Sequence, residues 1–344
     1  MITKSTIQIS NLILLFVIGL GLSFCTPYNI NPEQEYKAFG WFPDSPGNIA
    51  DLNTVYDDYN SNIHVTGKRI DLYYSTNKET QGDNFDISSR CIDAFLNLDS
   101  NVFDFRVSNA EANFAYTLLP IINTKFDEYG PFSFYSDSLT NSCTCWYFMY
   151  ANNKNGNFDI HFTYTSLRDW GHWDSKRQFF GPFDATILNS ESDDFYPTIN
   201  ADYFKLYFSS NRGQNYDIYE IDMDFVNIID WLQNGTNTPV KNNILSSSFD
   251  DKCPYIKGNL MVFTSNNTAG YGGYDLWYSK FENGDWGAPQ NFGPQINTEY
   301  DEYRPVIDYF PESTNDLMIF SSNRPGGKGG FDLYYTGIEK MIKK

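Results

Sequence analysis

Short runs of alternating apolar and polar residues cover most of the chain, and they are separated by glycine, proline, asparagine and aspartate. Typical runs are KLYFSS at 205, LMVFTS at 260 and LMIFSS at 317, which contain the aromatic and β-branched residues that strands favour. Glycine-containing turns such as NRGQN and NRPGGKGG follow them, and glycine suits the positive-φ positions of hairpins. The pattern therefore predicts antiparallel strands joined by tight turns.

The strand pattern is organised by an internal repeat with two halves. The acidic half reads LNTVYDDYNS at 52 and returns at 122, 188, 245 and 296. The other half, an aromatic residue followed by aspartate, reads NFDI at 84 and returns at 157, 215, 273 and 330. The halves alternate without exception, so the chain contains five units of roughly 58 residues, a length typical of one propeller blade.

Charged residues mark the same places in each unit. The acidic halves carry Asp57 and Asp58, Asp127 and Glu128, Asp193 and Asp194, Asp250 and Asp251, and Asp301 and Glu302. The aromatic-Asp halves carry Asp86, Asp159, Asp217, Asp275 and Asp332. The turns before the aromatic-Asp halves carry Lys78, Lys154, Arg212 and Arg324, with Asn267 in the fourth unit.

Each unit offers four strand-like segments, and a lone four-stranded sheet cannot bury both of its faces. Radial stacking solves this problem, so we predict an all-β fold: a five-bladed β-propeller of four-stranded antiparallel blades over residues 38–338, followed by a tail at 339–344. The blades should start near 51, 122, 188, 245 and 296. The last unit lacks a fourth strand, and we expect residues near 38 to 50 to add it and close the ring, which removes exposed sheet edges.

The repeat also predicts where its charged residues meet. Strand 1 of a blade runs along the channel, so the connection into strand 1 and the turn between strands 2 and 3 lie on one face. One interpretation is structural, with acids that accept backbone N–H groups and basic residues that pair with a carboxylate of their own or the next blade. The alternative is a channel-mouth site for a basic peptide or a cation such as calcium. Because no unit shows the dense alternating acids of a calcium loop, no cofactor is expected.

The N-terminus has the proportions of an export signal. MITK supplies a cation, and NLILLFVIGLGLSF is apolar but short for a membrane span. LSFC resembles a bacterial lipoprotein cleavage box, although Phe24 stands where a small residue is usual. We predict a signal peptide over 1–24, a lipid on Cys25 and a tether over 25–37; cleavage after Ser23 and an uncleaved anchor are the alternatives. The expected location is the outer membrane, on the periplasmic face rather than the cell surface.

Net charge limits the partners. The formal charge is −19, and anionic partners such as nucleic acids and acidic membrane surfaces need basic patches. We therefore expect no nucleic acid and contact with the membrane only through the lipid anchor.

Four cysteines remain if Cys25 is lipidated, and export permits disulfides. Cys143 and Cys145 are poorly placed to pair with each other, because they lie on one side of a strand. A bridge from Cys91 to one of them is one expectation, and buried free thiols, Cys253 included, are the other.

The units beginning YPTINADYFKLYFSSNRGQNYDIYEI and YRPVIDYFPESTNDLMIFSSNRPGGKGGFDLYYT resemble the TolB-type, WD-like β-propeller repeats of bacterial envelope proteins. The resemblance covers positions 38–338, although Ser61 replaces the proline in the first unit. It implies a protein-binding platform in the envelope of a Gram-negative bacterium of the Bacteroidota type, with envelope proteins as partners.

Two insertions break the repeat. Residues 88–120 lengthen the passage from the first to the second unit. Residues 222–243 place Phe225, Ile228, Ile229 and Leu232 at helical spacing before an Asn-Gly stop, which predicts a short helix. Such a helix either packs on the rim or docks a partner.

The sequence favours a non-catalytic scaffold over an enzyme. None of His64, His161 and His172 lies in a metal-ligand pattern, and nucleophile-elbow, zincin and P-loop motifs are absent. Five-bladed propellers include glycosidases, but catalytic acids need unlike environments and these acids repeat in like ones. Glycan binding is the other alternative, through Trp170, Trp173 or Trp286 if they are exposed.

Overall fold

The computed structural model describes residues 39–138, 143–167 and 178–343. The predicted signal peptide, Cys25 and the tether lie outside these residues, as do His172, Trp170 and Trp173. A two-residue strand, β1 (Gly47–Asn48), comes first, and five antiparallel sheets follow in chain order.

Blade 1 contains β2 (Asp58–Thr66), β3 (Arg69–Thr76), β4 (Asp86–Asn97) and β5 (Val102–Val107). Blade 2 contains β6 (Glu128–Ser138), β7 (Cys143–Asn152), β8 (Asp159–Ser166) and β9 (Phe180–Asp184). Blade 3 contains β10 (Asp194–Asn200), β11 (Lys205–Ser210), β12 (Asp217–Asp222) and β13 (Val240–Lys241). Blade 4 contains β14 (Asp251–Lys257), β15 (Leu260–Ser265), β16 (Asp275–Glu282), β17 (Asp285–Trp286) and β18 (Gln290–Asn291). Blade 5 contains β19 (Glu302–Asp308), β20 (Asp316–Ser322) and β21 (Asp332–Ile338).

The predicted five-bladed propeller is confirmed. The first strand of each blade contacts the first strand of the next, from β2 through β6, β10 and β14 to β19, and β19 contacts β2. The five first strands therefore surround a central channel, and later strands of each blade lie progressively further out. Blade 4 departs slightly from the pattern, because two short strands, β17 and β18, share the outer edge of β16.

The N-terminal segment closes the ring, as predicted. β1 pairs antiparallel with β21, with Gly47 opposite Tyr335. Before β1, the fully buried ring of Phe42 packs between Phe310 of blade 5 and Phe103 of blade 1, at centroid distances of 5.2 and 5.3 Å. The outer edge of blade 5 is thus covered by chain from the other end of the sequence.

Two short helices lie outside the blades in the described part of the chain. The helix predicted in the insertion 222–243 is present as α2 (Ile228–Asn234), with Phe225 before its first residue and Gly235 directly after its last. Ile228, Trp231 and Leu232 are its buried residues. The insertion 88–120 extends β4, adds β5 and begins the other helix, α1 (Ala115–Ile122). Neither helix is long and apolar enough to cross a membrane.

The predicted bridge from Cys91 is wrong. Cys91 is a buried thiol whose Sγ lies 3.0 Å from the carbonyl oxygen of Glu111 and 2.6 Å from Nη2 of Arg69. These polar contacts hold the reduced thiol inside blade 1. Cys253 is likewise a buried thiol.

Candidate functional site

The acidic half of the repeat forms the connection into each blade. The asparagine of LNT or INT exchanges two hydrogen bonds with one residue of the preceding blade. Asn123, for example, accepts from the N–H of Ile87 at 3.0 Å and donates to its carbonyl at 2.9 Å. Asn53 makes the same pair of bonds to Leu333, and so links blade 1 to blade 5. These asparagines extend the sheet of one blade into the connection to the next.

The first acid of each pair also bridges two blades. Its carboxylate accepts the N–H of the aromatic residue in the preceding aromatic-Asp half. The bonds join Phe85 to Asp127, Phe158 to Asp193, Tyr216 to Asp250, Tyr274 to Asp301 and, across the ring closure, Phe331 to Asp57. Their lengths run from 2.7 Å for Phe331 to 3.0 Å. The two halves of the repeat therefore meet between adjacent blades.

The second acid of each pair is buried and turned into its own connection. Asp58, Glu128, Asp194, Asp251 and Glu302 are each at most 3% exposed. Each accepts the backbone N–H of the Thr or Ser four residues earlier, as Glu302 does from Thr298 at 2.7 Å. Burial raises the pKa of all five carboxyl groups, to about 7 for Glu128.

The basic residues of the turns fall into two groups. Arg212 and Arg324 pair with the second acid of their own blade, at 2.6 Å to Asp194 and 2.9 Å to Glu302. Both guanidinium groups also lie over two aromatic rings of the same blade. Lys78 and Lys154 are exposed, and Lys78 approaches only its neighbour Glu79, at 3.9 Å. The turn therefore has a buried ion pair in blades 3 and 5 and a solvated lysine in blades 1 and 2.

The aspartates of the aromatic-Asp halves hold the turns between strands 2 and 3. In blade 5, Asp332 accepts from the N–H groups of Lys328 and Gly329 at 2.5 and 3.1 Å. In blade 4, Asp275 accepts from the N–H groups of Tyr271 and Gly272. In blade 2, Asp159 accepts from the side-chain amide of Asn155. In blade 3, Asp217 forms an ion pair with Lys241 of β13 at 2.7 Å. Asp86 is the half-buried member, and burial raises its pKa. A Cβ on Gly329 would lie 1.8 Å from the carbonyl oxygen of Tyr56 in blade 1, so the close approach of blades 5 and 1 requires glycine there.

Aromatic side chains surround the mouth of the channel between these motifs. The residue after each acid pair and the aromatic residue of each aromatic-Asp half alternate around the ring. We call this set the collar: Tyr59, Phe85, Tyr129, Phe158, Phe195, Tyr216, Lys252, Tyr274, Tyr303 and Phe331. Phe195 is buried and the other nine are half-buried, so the collar presents aromatic surface at the mouth.

The collar rings contact one another around the channel. Tyr59 lies against Phe85, Tyr129 and Phe331, at centroid distances of 5.0, 5.6 and 5.5 Å. Next along the ring, Tyr303 contacts Phe331 at 6.4 Å and Tyr274 at 5.4 Å. Such contacts stabilise a fixed arrangement of rings. The result is a rigid platform rather than a set of independent surface side chains.

Lys252 is the one non-aromatic member of the collar. Its Nζ lies over the rings of Tyr216 and Tyr274, at 4.0 and 5.0 Å from their centroids, and 3.9 Å from Asp250. Burial lowers the pKa of its amine. It therefore places a polar donor within the aromatic surface.

Sequence reasoning missed the collar, although its signal was present. The residue directly after each acid pair reads Tyr, Tyr, Phe, Lys and Tyr around the ring. Aromatic residues at this position of an inner strand indicate a lining for the channel mouth, but the acids beside them form the more regular pattern.

The other residues that the sequence offered as binding or metal sites do not form such a site. The indole of Trp286 is buried, and its Nε1 donates to Tyr207 at 3.0 Å, so this residue is not an exposed binding surface. His161 is buried between Asn152 and Asp184, and burial lowers its pKa. Among the described residues, no group of three or more His, Cys, Asp or Glu side chains is arranged to hold a metal ion.

The insertion 88–120 contributes a second concave surface. A cleft of about 550 Å³ lies between blade 1 and α1, and its lining includes Asp86, Arg90, Glu111 and Tyr116. Glu111 pairs with Arg90 at 2.9 Å and accepts a short hydrogen bond from Ser89. The Glu111 carboxylate therefore already pairs with side chains of blade 1.

Solved structures of other proteins share the fold of this chain. No family model and no curated protein matches the chain. Among solved structures, a protein described as a glycoside hydrolase is similar over 90% of this chain and 93% of that chain, with 9% identity and a TM-score of 0.53. An endo-arabinase from Bacteroides thetaiotaomicron VPI-5482 is similar over 90% and 99%, with 13% identity and a TM-score of 0.52. An α-L-arabinofuranosidase from Podospora anserina, solved with cellotriose, shows 13% identity over 86% and 98%, with a TM-score of 0.44. At these identities the similarity shows the fold alone: the chain is a five-bladed β-propeller.

Two predictions are therefore wrong. The resemblance to TolB-type repeats does not hold, because the solved structures of similar fold are glycoside hydrolases and no family model matches. The protein-binding scaffold inferred from it is wrong for the same reason. The motifs that suggested the resemblance join adjacent blades through Asp57, Asn53 and their counterparts, and contacts between neighbouring units stabilise a repeat architecture. They indicate architecture and not a binding class.

Proposed function

We propose that this protein binds carbohydrate chains at the channel mouth, through the collar. The observation that carries the proposal is the ring of half-buried aromatic side chains with one amine among them. A sugar ring has an apolar C–H face and polar hydroxyl groups at its edge. Concave sites that combine aromatic surface with a few placed polar groups suit such ligands.

Charge and chemistry favour a carbohydrate over other ligands. The protein is strongly acidic, and the first acids of the repeat lie directly beside the collar, so an anionic ligand would be repelled. Lys252 offers N–H donors to a hydroxyl or ring oxygen. The similar solved structures include an endo-arabinase and a glycoside hydrolase, which supports a polysaccharide as the class of ligand.

The acids of the repeat favour binding without hydrolysis. A glycosidase needs two carboxyl groups on either side of the bond that is cleaved, free to transfer a proton and to assist the attack. The second acids are buried against their own connections, and the first acids accept backbone N–H groups from the preceding blade. These carboxylates are engaged in holding the blades, and so we assign them no catalytic role.

Phe85→Ala and Phe331→Ala should each weaken binding to a recognised polysaccharide by about tenfold or more, because each removes one ring beside Tyr59. The measurement is affinity gel electrophoresis and calorimetry against a panel that contains arabinan, xylan and glucans. Phe204→Ala is the matched control, since Phe204 is 59% exposed and lies on the turn between β10 and β11 at the other face. The control should bind like the wild type.

Two results would overturn the proposal. One is binding that survives in both collar variants while the fold is intact. The other is failure of every neutral polysaccharide in the panel to bind the wild type. Release of reducing ends from a bound polysaccharide by the wild type would replace binding with hydrolysis.

We also propose that the protein is exported and anchored through lipid on Cys25, supported by the sequence of the N-terminus alone. Cys25→Ser should move the protein from the membrane fraction to the soluble fraction of the envelope, because the lipid is attached through the cysteine thiol and serine has none. Ser23→Thr is the control, since it leaves the cysteine in place. Equal membrane retention of Cys25→Ser and the wild type would contradict lipidation.

A further inference from the structure

All five strands around the channel share a bulge directly after the collar position. The residues there have positive φ: Asn60 (57°), Gly130 (60°), Tyr196 (54°), Cys253 (56°) and Arg304 (46°). The pairing of strand 1 with strand 2 shifts register at this point in every blade. One bulge residue from each blade therefore lies at the same level of the channel, one residue deeper than the collar.

The five bulge residues are unequal, and they pack as a set. A Cβ on Gly130 would lie 2.4 Å from the ring of Tyr196, so glycine in blade 2 makes room for tyrosine from blade 3. Arg304 is the largest fully buried side chain of the protein's described part. It extends from blade 5 to the carbonyl oxygens of Pro254 in blade 4 and Pro131 in blade 2, at 3.0 and 3.2 Å. The guanidinium thus lies across the channel.

This guanidinium has no carboxylate partner among the described residues. It lies over the rings of Tyr196 and Tyr255, at 5.1 and 5.9 Å from their centroids. The groups that favour its charge are Cys253 and nearby tyrosines, which are neutral at pH 7 because burial raises their pKa, for Cys253 to about 11. A buried cation without an opposite charge is costly, and proteins rarely leave one in that state.

Blade 1 brings further unsatisfied donors to the same level. Both polar atoms of the Asn60 side chain and the hydroxyl of Ser61 are buried without a hydrogen-bond partner in the described chain, as is Nε of Arg304. Ser61 departs from the repeat, since the other four blades have proline at this place. Blade 1 lies in the ring between blade 5, from which Arg304 extends, and blade 2, whose Pro131 carbonyl the guanidinium contacts. Asn60 occupies the same bulge position as Arg304, so these groups lie at the level of the channel that the guanidinium crosses.

We propose that the channel binds one small monovalent anion, a halide such as chloride, between the Arg304 guanidinium, the Asn60 amide and the Ser61 hydroxyl. One positive charge calls for one negative charge, and N–H and O–H groups are the donors that a halide accepts from. The collar packs above this level, with Tyr59 against Phe331, and its rings favour a small anion over a large one. A metal cation would be repelled by Arg304.

Bromide provides the direct test, because it replaces chloride and scatters anomalously. Protein unfolded and refolded in sodium bromide should give crystals with an anomalous peak within hydrogen-bond distance of Arg304 and Asn60. If well-diffracting crystals show no anomalous difference peak in the channel, the proposal is overturned. This test is independent of glycan binding, since it needs no carbohydrate.

Thermal unfolding supplies the second test. At equal ionic strength, the wild type should melt several degrees higher in sodium chloride than in sodium gluconate, and the difference should saturate with chloride concentration. Asn60→Asp places a carboxylate at the same level of the channel as Arg304 and should abolish that difference while the protein stays folded. Arg106→Met removes an exposed cation of β5 and should retain it. A chloride effect that is equal in wild type and Asn60→Asp would indicate a surface salt effect and contradict a channel site.

Discussion

Replacing Glu302 with alanine is expected to lower the free energy of unfolding by about 3–5 kcal/mol, the usual cost of removing one partner of a buried ion pair. Glu302 is fully buried, and Arg324, whose side chain is 13% exposed, donates to it at 2.9 Å. The substitution also leaves the hydroxyls of Thr298 and Ser322 without their acceptor. Urea unfolding, followed by the near-ultraviolet circular dichroism of the aromatic side chains, measures the change.

Blade 4 provides the matched control for the charge. Asp251 occupies the same position as Glu302, but Asn267 stands in place of the arginine. Asp251→Ala loses hydrogen bonds without stranding a cation, so a decrease of about 1–3 kcal/mol is expected. In a double-mutant cycle, Glu302→Leu with Arg324→Leu should cost less than the sum of the single substitutions. Equal losses in the two blades would show that the ion pair adds nothing.

The stability of blade 2 should depend on pH through Glu128. This carboxyl group is fully buried, and burial raises its pKa from 4.5 to about 7. The folded protein therefore holds the proton more tightly than the unfolded chain. The stabilising contribution is fully present below about pH 4.5 and is lost as pH rises through about 7, on the order of 3 kcal/mol in total.

Glu128→Gln removes this titration. The difference in free energy of unfolding between Glu128→Gln and the wild type should shift in favour of the variant between pH 4.5 and 7, and it should then stay constant up to pH 8. Parallel unfolding curves at each pH measure it. A difference that does not change with pH would contradict the raised pKa.

Lys154→Arg tests the cause of the difference between blades. Arg212 and Arg324 occupy the equivalent position and pair with the second acid, whereas Lys154 is exposed. An arginine at 154 could lie over Tyr150 and His161, as Arg324 lies over Phe320 and Tyr334. Its guanidinium would favour the carboxylate form of Glu128. The pH dependence should then weaken, and stability at pH 8 should rise.

The repeat determined more of the fold than any single element did. Its acidic half fell at the connections into β2, β6, β10, β14 and β19, and its aromatic-Asp half fell at the starts of β4, β8, β12, β16 and β21. Strand alternation and turn residues are local properties, so they can be read from consecutive residues. The helix α2 followed from the same kind of local signal, and the closure by β1 followed from the missing fourth strand of the last unit.

Function was misread because the residues that repeat most clearly are those that hold the blades. Asp57 and Asp127 accept N–H groups from the preceding blade, which any ring of blades requires. A resemblance based on such residues indicates a propeller and says little about its ligand. Lys252 and Ser61 depart from the repeat, and this is visible in the sequence. Their roles depend on side chains of other blades, which the sequence does not place.

The sequence by itself determined the five strand-rich units and their order, because strand periodicity and turn chemistry act between residues that are close along the chain. It also predicted the closure of the ring, because counting strands showed that the last unit lacks its fourth. The tertiary structure alone decided that Tyr59, Tyr303 and Phe331 form one aromatic collar and that Arg304 crosses the channel at the level of Asn60. These residues are separated by up to most of the chain length, and they meet only when the ring closes. A site made of one residue from each blade therefore exists in the closed fold and in no segment of the sequence.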